Sequence, residues 1–390
     1  MISVDEALSH LFSLVAPLER EAVALQEAAG RVLAEPATAR RDQPPFAASA
    51  MDGYAVRSAD AAPGAQLEVI GESAAGHGFA GGIEQGQAVR IFTGAPVPQG
   101  ADRVVIQEDV TRKGETITLG DTLDEGPHIR RRGVDFSKGD TLDAPRLLTA
   151  SDVALLAAMN IPQVMVTRKP VVALISTGDE LVMPGDDPGP DQIIASNTFG
   201  LKAMLEQIGA TARLLPIARD NIASLETAFS LAEGADLVVT IGGASVGDHD
   251  LVGDVAAGLG MERSFYKVRM RPGKPLMAGR MGDAAMVGLP GNPVSAMVCG
   301  HVFLAPMIRL MLGLGAAPTP RRSARLAQDI AGNGPREHYM RATVRNGEIS
   351  PADRQDSSLL SILARANALM IRPPDDPGRA RGDRIDYIPI

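Results

Sequence analysis

Residues 169–314 constrain the fold more than any other stretch, because they repeat one order of segments: strand, loop, helix. Val171–Ser176 is a continuous apolar run, which is typical of a strand buried on both faces of a parallel sheet. Further strands are predicted at residues 214–218, 236–241 and 285–289, and helices at residues 197–208, 221–233 and 250–258 and after Asn292. This alternation predicts a doubly wound α/β domain, whose ligands bind beyond the carboxyl ends of the strands.

Four loops would meet at that edge of the sheet: residues 177–181, 219–221, 242–250 and 290–295. Glycines such as Gly242 and Gly243 let backbone N–H groups approach a phosphate closely. Glu180, Asp220 and Asp250 would lie along the same rim, and carboxylates are ligands that Mg²⁺ prefers. Asp220 and Asp250 also occupy positions typical of helix N-caps, so capping alone would explain either residue.

A basic segment at residues 267–275 places four cations within eight positions of a chain whose net charge is −9. If this segment is a strand, Lys267 and Arg271 share one face, Val268 faces the core, and the following turn brings Lys274 back to the same region. Repulsion among the cations costs free energy unless an anion or carboxylates lie there. Charged protection of an edge strand would give the same pattern, so the segment alone leaves both interpretations open.

Carboxylates and cations on one rim together describe a site for a phosphoanhydride. Other local motifs are weaker. The glycine pattern at residues 242–247 lacks the Lys-Ser/Thr of a nucleoside-triphosphate loop. Residues 248–250 contain one histidine between two acids, with no second histidine nearby for a transition metal. Ser245 and Ser295 lack the glycine-flanked elbow of a serine hydrolase.

The remaining segments have different sequence patterns. Ser3 and Glu6 give a capping-box signature before a helix, and residues 19–29 have a second helical pattern that ends at Gly30. Residues 46–136 carry short β-branched runs separated by glycines, which predicts an all-β, barrel-like segment. Because a helical pattern returns at residue 149, the β-rich segment would be an insertion into one discontinuous helical domain.

Composition excludes several classes of protein. Aromatic residues are 3% of the chain, there is no Trp, and the net charge is negative, which argues against a general nucleic-acid or anionic-membrane binder. The single Cys299 excludes an intrachain disulfide framework and a thiolate-rich zinc site. The N-terminus lacks the basic and apolar segments of a signal peptide, which predicts a cytoplasmic protein. The apolar stretch at residues 294–314 is predicted to be a buried helix.

The β-rich segment has three polar patches of its own. Asp52 precedes a glycine turn, and Thr93 lies in a loop rich in proline and glycine. Asp135 comes after three consecutive arginines, with two residues in between. By themselves these patches are typical of turns and of a solvated charged face.

The ordered motifs resemble those of the molybdopterin molybdenumtransferase family, which includes MoeA and the gephyrin E domain. The matching segments are residues 30–34, 49–56, 91–102, 129–139, 176–181, 242–250, 271–275 and 288–295. The resemblance covers nearly the whole chain and is weakest after Pro318. It implies a Mg²⁺-dependent reaction in which adenylated molybdopterin is cleaved at its phosphoanhydride, AMP leaves, and molybdate is ligated to the dithiolene.

The resemblance also implies an organisation. The expected parts are a discontinuous helical domain (1–45 and 138–168), a β-rich insertion (46–137), an α/β molybdopterin-binding domain similar to MogA (169–317) and a C-terminal β-barrel domain (318–390). An elongated homodimer is implied, in which the α/β rim of one subunit faces the β-rich insertion of the other. An adenylyltransferase is the implied partner, and neither nucleic acid nor membrane is expected to bind.

Site residues follow from the matched positions. The implied catalytic residues are Asp52, Thr93, Asp135, Glu180, Asp220 and Asp250, of which the last three are also the implied Mg²⁺ ligands. The implied substrate-binding residues are Gly242, Gly243, Ser245, Lys267, Arg271, Lys274, Pro275, Asn292, Ser295, Arg341 and Ser357.

Two positions depart from the family pattern. Arg271 stands where many relatives have Lys, and a planar guanidinium binds oxyanions in a different geometry from an ammonium. Ala195 occupies a position often filled by Asp, so any metal-binding or hydrogen-bonding role there is lost.

Two other functions compete with molybdate insertion. An adenylyltransferase or related nucleotide enzyme would share the α/β domain and would consume ATP without preloaded adenylate, but the β-rich insertion and the C-terminal domain argue against it. A gephyrin-like scaffold would need an exposed peptide groove, which the sequence does not reveal.

Overall fold

The computed structural model describes residues 1–243 and 251–390. The described residues divide into two compact units. The first contains Met1–Glu21, Gly30–Ala34 and Val166–Ile390, and the second contains Ala22–Ala29 and Glu35–Met165. The boundaries of the four expected domains stay a prediction.

A six-stranded sheet forms the centre of the first unit. Its strands lie in the order Thr211–Leu214, Val171–Ser176, Leu237–Ile241, Ala284–Leu289, Met277–Met281 and Glu262–Tyr266. The first four strands are parallel, and the pairings of the last two are antiparallel. The accompanying helices are Asn197–Gln207, Ile222–Leu231 and Leu251–Gly258. The predicted doubly wound α/β fold is confirmed.

Both faces of this sheet are buried, as the apolar run in its first strand predicts. Val172 and Leu174 belong to one hydrophobic cluster, whereas their neighbours Ala173 and Ile175 belong to another. Because successive side chains of a strand point to opposite faces, each cluster covers one face of the sheet. Polar groups of the parallel strands therefore reach solvent chiefly at the strand ends.

One long helical run packs in the core of the first unit. It consists of an α-helix at Pro293–Cys299, a π-helical segment at Gly300–Leu304 and an α-helix at Ala305–Met311. By length and composition this run could cross a membrane, but 78% of its apolar window is buried inside the fold. That burial is typical of a core helix, as the sequence predicts for residues 294–314.

A closed five-stranded barrel forms the C-terminal part. Its strands are Arg322–Leu326, Glu337–Arg345, Glu348–Pro351, Ala368–Arg372 and Arg384–Pro389. Glu337–Arg345 pairs with both Glu348–Pro351 and Ala368–Arg372, and the remaining pairings complete the ring. The expected C-terminal β-barrel is confirmed.

The basic segment is not the single strand that the alternation predicts. The strand Glu262–Tyr266 ends before it, and Lys267 has a left-handed backbone with φ of 72°. Met270–Arg271 then pairs with the first two residues of the barrel strand Glu337–Arg345. The turn at Lys267 carries the chain from the α/β sheet to the barrel, and this long-range pairing overrides the local pattern. Val268 is fully buried, as predicted.

Two other local predictions are wrong. Residues 19–29 do not form a helix: Arg20–Ala24 is a strand and Leu25–Glu27 a single 3₁₀ turn. The Leu25 N–H donates to the Pro162 carbonyl, so strand pairing overrides a sequence rich in helix formers. The predicted strand at 214–218 lies earlier, at Thr211–Leu214, because Pro216 cannot donate to a sheet.

The capped helices occur as predicted. Ser3 and Glu6 form a reciprocal capping box at the start of Val4–Ser13. In the second unit, Thr149 and Asp152 form another at the start of Ala150–Ala158. These local hydrogen bonds satisfy N–H groups that the first turn of a helix leaves unpaired.

The second unit is built mainly from short strands. Six of them form a sheet in the order Arg103–Ile106, Gly53–Val56, Gln87–Ile91, Gln66–Ser73, Thr116–Leu119 and Val110–Lys113. Two further strand pairs join Ala48–Ser49 to Ile129–Arg130 and Ala37–Thr38 to Thr141–Leu142. The all-β texture predicted for residues 46–136 is therefore present.

Candidate active site

A cavity of ≈ 620 Å³ opens at the carboxyl edge of the parallel strands. Its wall includes Thr177 after the first strand, Gly242 and Gly243 after the third, and Asn292 after the fourth. Strand order places the first strand between the second and third along the chain, which makes this edge a topological switch point. Ligands of doubly wound sheets bind at such points.

Two of the predicted acids lie together in this cavity. Glu180 and Asp220 are exposed side chains of its wall. Asn221, and not Asp220, caps the following helix: its side chain accepts a hydrogen bond from the Ser224 N–H at 2.9 Å. The alternative role of Asp220 as a helix cap is therefore excluded.

The Asp220 carboxylate lies in a crowded negative environment. Its pKa is raised, first by desolvation and then by the negative charges of Asp179 and Glu180. Asp179 also accepts a hydrogen bond from the Asp220 N–H at 3.1 Å. A bound cation would relieve the repulsion among these three carboxylates.

Gly178 leaves room for the Glu180 carboxylate to lie close to the backbone. Gly178 has φ of 147°, in the region that favours glycine. A Cβ at this position would lie 2.4 Å from Glu180 Oε2. Only a residue without a side chain lets Glu180 fold back over the turn in this way.

The glycine turn after the third strand is equally tight. A Cβ on Gly242 would lie 2.5 Å from the Thr177 carbonyl oxygen, and one on Gly243 would lie 2.2 Å from Val252 Cγ2. Both glycines have positive φ. The predicted Ser245 and Asp250, with the acid–histidine motif of residues 248–250, lie outside the described residues.

The fourth loop brings some of its predicted residues to the cavity and buries another. Asn292 lines the wall, and the neighbouring Gly291 carbonyl accepts a hydrogen bond from the Asn197 side chain at 2.7 Å. Ser295 is 4% exposed inside the helix and is not among the described residues of the wall. The sequence of the loop alone could not show that Asn292 faces the cavity and that Ser295 is buried.

Of the predicted segment 267–275, the described wall of the cavity contains Pro275 but none of the cations. Pro275 lines the wall, next to the exposed Lys274, and Arg271 is also exposed. Lys267 is half-buried, with its Nζ 4.9 Å from the centre of the Tyr266 ring. Within the described part of the chain, no carboxylate forms an ion pair with Lys267, Arg271 or Lys274.

Arg341 is a fully buried guanidinium in the barrel strand Glu337–Arg345. Its Nη2 donates to the Asp356 carbonyl at 3.0 Å, but its Nε and Nη1 have no hydrogen-bond partner within residues 1–243 and 251–390. Burial and the nearby charge of Arg271 lower its pKa. An unpartnered buried donor costs about 1–3 kcal/mol, which a bound oxyanion would offset.

The segment around Ser357 links this guanidinium to the cavity. Ser358 lines the cavity wall, and the Ser357 carbonyl accepts the Val294 N–H at 3.1 Å. Asp356, one residue earlier, accepts the hydrogen bond from Arg341. Arg341 and Ser357, which are far from the α/β loops in sequence, thus belong to the same neighbourhood as Asn292.

In the second unit, Asp52 and Thr93 lie together. Asp52 Oδ1 accepts hydrogen bonds from the Thr93 N–H at 2.7 Å and from its hydroxyl at 2.8 Å. The backbone bond first, and then the hydroxyl bond, lower the pKa of Asp52. Asp135 is exposed, and its N–H donates to the Gln43 carbonyl at 3.0 Å.

Arg90, which lies beside this pair, was not predicted as a site residue from the sequence. Arg90 lies between two aromatic rings, 5.1 Å from the centre of Tyr54 and 4.8 Å from that of Phe92. It donates to the Gly53 carbonyl at 3.1 Å, and its charge also lowers the pKa of Asp52. Arg90 is a charged residue between two apolar residues of the strand Gln87–Ile91, and this pattern could have identified it from the sequence.

The fold and this site define an α/β protein with a polar cavity at a topological switch point and a basic cluster beside it. Comparisons with known proteins identify the family. Residues 2–160 match the MoeA N-terminal region (domain I and II), residues 173–310 a probable molybdopterin binding domain, and residues 323–390 the MoeA C-terminal region (domain IV).

Individual relatives agree. A molybdopterin molybdenumtransferase of Nostoc sp. is 38% identical over 96% of this chain and 90% of its own length. That of Haemophilus influenzae is 40% identical over 80% of this chain and 78% of its own. The crystal structure of the molybdopterin biosynthesis moeA protein from Pyrococcus horikoshii superposes with a TM-score of 0.85 at 28% identity, and 99% of each chain is covered.

The chain belongs to the molybdopterin molybdenumtransferase family, transferases of molybdenum cofactor biosynthesis. The family resemblance drawn from the ordered motifs is confirmed. The roles of the individual site residues stay predictions.

Substitution of Gly178 should show whether activity depends on the position of the Glu180 carboxylate or only on backbone strain. In Gly178→Ala the new Cβ displaces the Glu180 carboxylate, and we expect transferase activity to fall at least about tenfold, since misplaced catalytic groups cost that much or more. The matched control is Gly260→Ala, where φ is 89° and a Cβ would meet nothing within 4 Å.

Both variants should lose about 1–2 kcal/mol of stability in urea unfolding, because both force alanine into a glycine conformation. Equal activity in the two variants would contradict the role of Gly178.

Proposed function

We propose that this chain inserts molybdate into adenylated molybdopterin in a Mg²⁺-dependent reaction that releases AMP. The observation that carries the proposal is the division of charge around the cavity. Glu180 and Asp220 lie on its wall. Lys274 directly precedes the wall residue Pro275, and Arg341 donates to the Asp356 carbonyl two residues before the wall residue Ser358. Neither cation forms an ion pair with a carboxylate among the described residues. A phosphoanhydride needs a metal ion at its oxygens, and molybdate needs cationic donors.

The residues of the acidic wall suit Mg²⁺. Glu180 and Asp220 offer exposed carboxylate oxygens. The pKa of Asp220 is raised first by desolvation and then by the charges of Asp179 and Glu180, and a divalent ion would counter that repulsion. The described residues contain no group of three or more His, Cys, Asp or Glu that could hold a metal alone. Mg²⁺ typically uses one or two carboxylates and completes its shell with water and substrate phosphates. Asp250 would be a third ligand.

Bound Mg²⁺ would neutralise charge on the phosphoanhydride of the substrate. The chain itself would position that substrate: Gly242, Gly243 and Asn292 form the wall against which it lies, and Ser245 would add a hydroxyl. Asp52 would act on the substrate of the other subunit, across the proposed dimer interface. Its two hydrogen bonds from Thr93 keep it ionised, so it suits the orientation of an attacking water better than proton abstraction. Asp135 would assist it.

The basic cluster would bind molybdate. Arg341 Nε and Nη1 are buried and have no hydrogen-bond partner among the described residues, and Arg271 and Lys274 are exposed cations of the basic segment. A tetrahedral dianion accepts charge-assisted hydrogen bonds from several directions, so a guanidinium and an ammonium can bind it together. Lys267, Pro275, Ser295 and Ser357 would complete the surroundings of this site.

The reaction itself is the first test. Wild-type protein, incubated with adenylated molybdopterin, Mg²⁺ and molybdate, should release AMP faster than it does without molybdate. Removal of Mg²⁺ with EDTA should abolish the release, because the two carboxylates alone repel the substrate phosphates. AMP release that molybdate does not stimulate would contradict the proposal, and ATP consumption without preloaded adenylate would indicate an adenylyltransferase instead.

The variant Arg341→Met distinguishes a role of Arg341 in oxyanion binding from a role in stabilising the fold. We expect molybdate affinity, measured by isothermal titration calorimetry, to fall at least about tenfold because two charge-assisted donors are lost. The melting temperature should stay equal or rise, because the variant removes a buried charge with two unpartnered N–H groups.

The control for this variant is Arg345→Met, an exposed residue of the same strand, which should leave molybdate affinity unchanged. Unchanged affinity in Arg341→Met, or an equal loss in both variants, would exclude Arg341 from the molybdate site.

We also propose that the protein is a cytoplasmic homodimer that receives its adenylated substrate from an adenylyltransferase. The resemblance of the whole chain to its family supports this organisation. Light scattering should give about twice the chain mass of 40.8 kDa, and a mass of one chain would contradict the dimer.

A further inference from the structure

Arg219 lies directly before Asp220 and makes an unusual set of hydrogen bonds. One terminal nitrogen, Nη1, donates to the carbonyl oxygens of Asp179 at 2.9 Å, Leu181 at 3.2 Å and Gly178 at 3.5 Å. Three carbonyl dipoles of one short turn therefore converge on a single cation. Neither the Glu180 nor the Asp220 carboxylate forms an ion pair with it in the described part of the chain.

Further bonds tie the same two loops together. The Gly178 N–H donates to the Ala218 carbonyl at 3.1 Å, and the Asp220 N–H donates to the Asp179 carboxylate at 3.1 Å. Three consecutive residues, 218–220, thus bind the turn that carries Glu180. Since Glu180 and Asp220 belong to different loops, these bonds determine how far apart the two carboxylates lie.

The guanidinium also holds the base of a small flap. Leu181–Val182 and Ile193–Ile194 form a parallel pair outside the main sheet, and the Ile193 N–H donates to the Glu180 carbonyl at 2.8 Å. Leu181 and Ile193 line the cavity. Through the Leu181 carbonyl, Arg219 therefore connects the apolar flap to the acidic wall.

We propose that Arg219 is a positioning residue that sets the Glu180–Asp220 pair for a divalent cation. It brings two mutually repelling carboxylates together through backbone carbonyls and leaves their oxygens free for the ion. The proposal rests on the proposed function in taking Mg²⁺ as the ion that these carboxylates bind.

A purely structural arginine would make similar bonds, and the chain contains one for comparison. Arg213 Nη2 donates to the carbonyls of Ala232 at 3.1 Å and Glu233 at 3.0 Å, after the end of the helix Ile222–Leu231. None of these three residues lines the cavity among its described residues. Arg213→Lys is therefore a matched control for Arg219→Lys: charge is kept, and the planar fork that reaches several carbonyls is lost.

The test measures Mn²⁺ binding, with Mn²⁺ as the probe, by calorimetry on the full-length protein without substrate. Arg219→Lys should raise the dissociation constant of Mn²⁺ at least about tenfold, because small misplacements of ligands have effects of this size. Arg213→Lys should leave it within about twofold of the wild type, as expected for a surface change away from the site. Both variants should show a similar decrease in melting temperature.

A second measurement follows the Mg²⁺ concentration that gives half-maximal AMP release. Arg219→Lys should shift it upward by about the same factor, whereas the maximal rate at saturating Mg²⁺ should recover most of its wild-type value. Mn²⁺ binding equal to that of the wild type in Arg219→Lys, or an equal loss in Arg213→Lys, would overturn the positioning role. A wild-type protein that releases no AMP would overturn the proposed function and leave the Mn²⁺ comparison intact.

Discussion

Burial of the parallel strands on both faces is the constraint on which the site depends. Side chains of Val171–Ser176 alternate between two hydrophobic clusters, so this strand has no polar face. Chemistry can begin only where the strands end, at Thr177, Gly242 and Pro290. Parallel direction brings these ends to one edge, and the change of strand order there opens the cavity. The apolar core and the polar site are two consequences of the same sheet.

Unpaired charge is the second feature that shapes this protein. The chain has a net charge of −9, yet among the described residues Lys267, Arg271 and Lys274 form no ion pair with a carboxylate, and two buried nitrogens of Arg341 have no hydrogen-bond partner. Buried N–H groups without a partner lower stability, and a bound ligand that accepts their hydrogen bonds would offset that cost. On the acidic wall, Asp220 shows the opposite imbalance, since desolvation and then neighbouring negative charges raise its pKa. The two imbalances are complementary, and a substrate that carries both an anion and a bound metal ion would relieve each of them.

Sequence reasoning succeeded where one physical rule dominates. Continuous apolar runs identified the buried strands, and capping boxes identified two helix starts. It failed where distant pairing decides the structure. Residues 19–29 form a strand and a 3₁₀ turn, and the basic segment turns at Lys267 and then pairs with the barrel. Acids following the strands located the rim of the site. Ser295 shows the limit of this reasoning, because a loop pattern does not determine which side chains of the next helix face the cavity.

Arg219 could not have been found from side-chain chemistry, because its partners are backbone carbonyls, which every residue has. This choice of partner has a physical advantage. An arginine that formed a bidentate pair with Glu180 or Asp220 would occupy the carboxylate oxygens and compete with a divalent cation for them. Bonds to the carbonyls of Gly178, Asp179 and Leu181 fix the same turn and leave those oxygens available. The glycine at 178 serves the same end, since it allows the Glu180 carboxylate to lie against the backbone that Arg219 holds. Backbone hydrogen bonds thus control the position of the acidic wall, while its charge is left for the proposed divalent ion to neutralise.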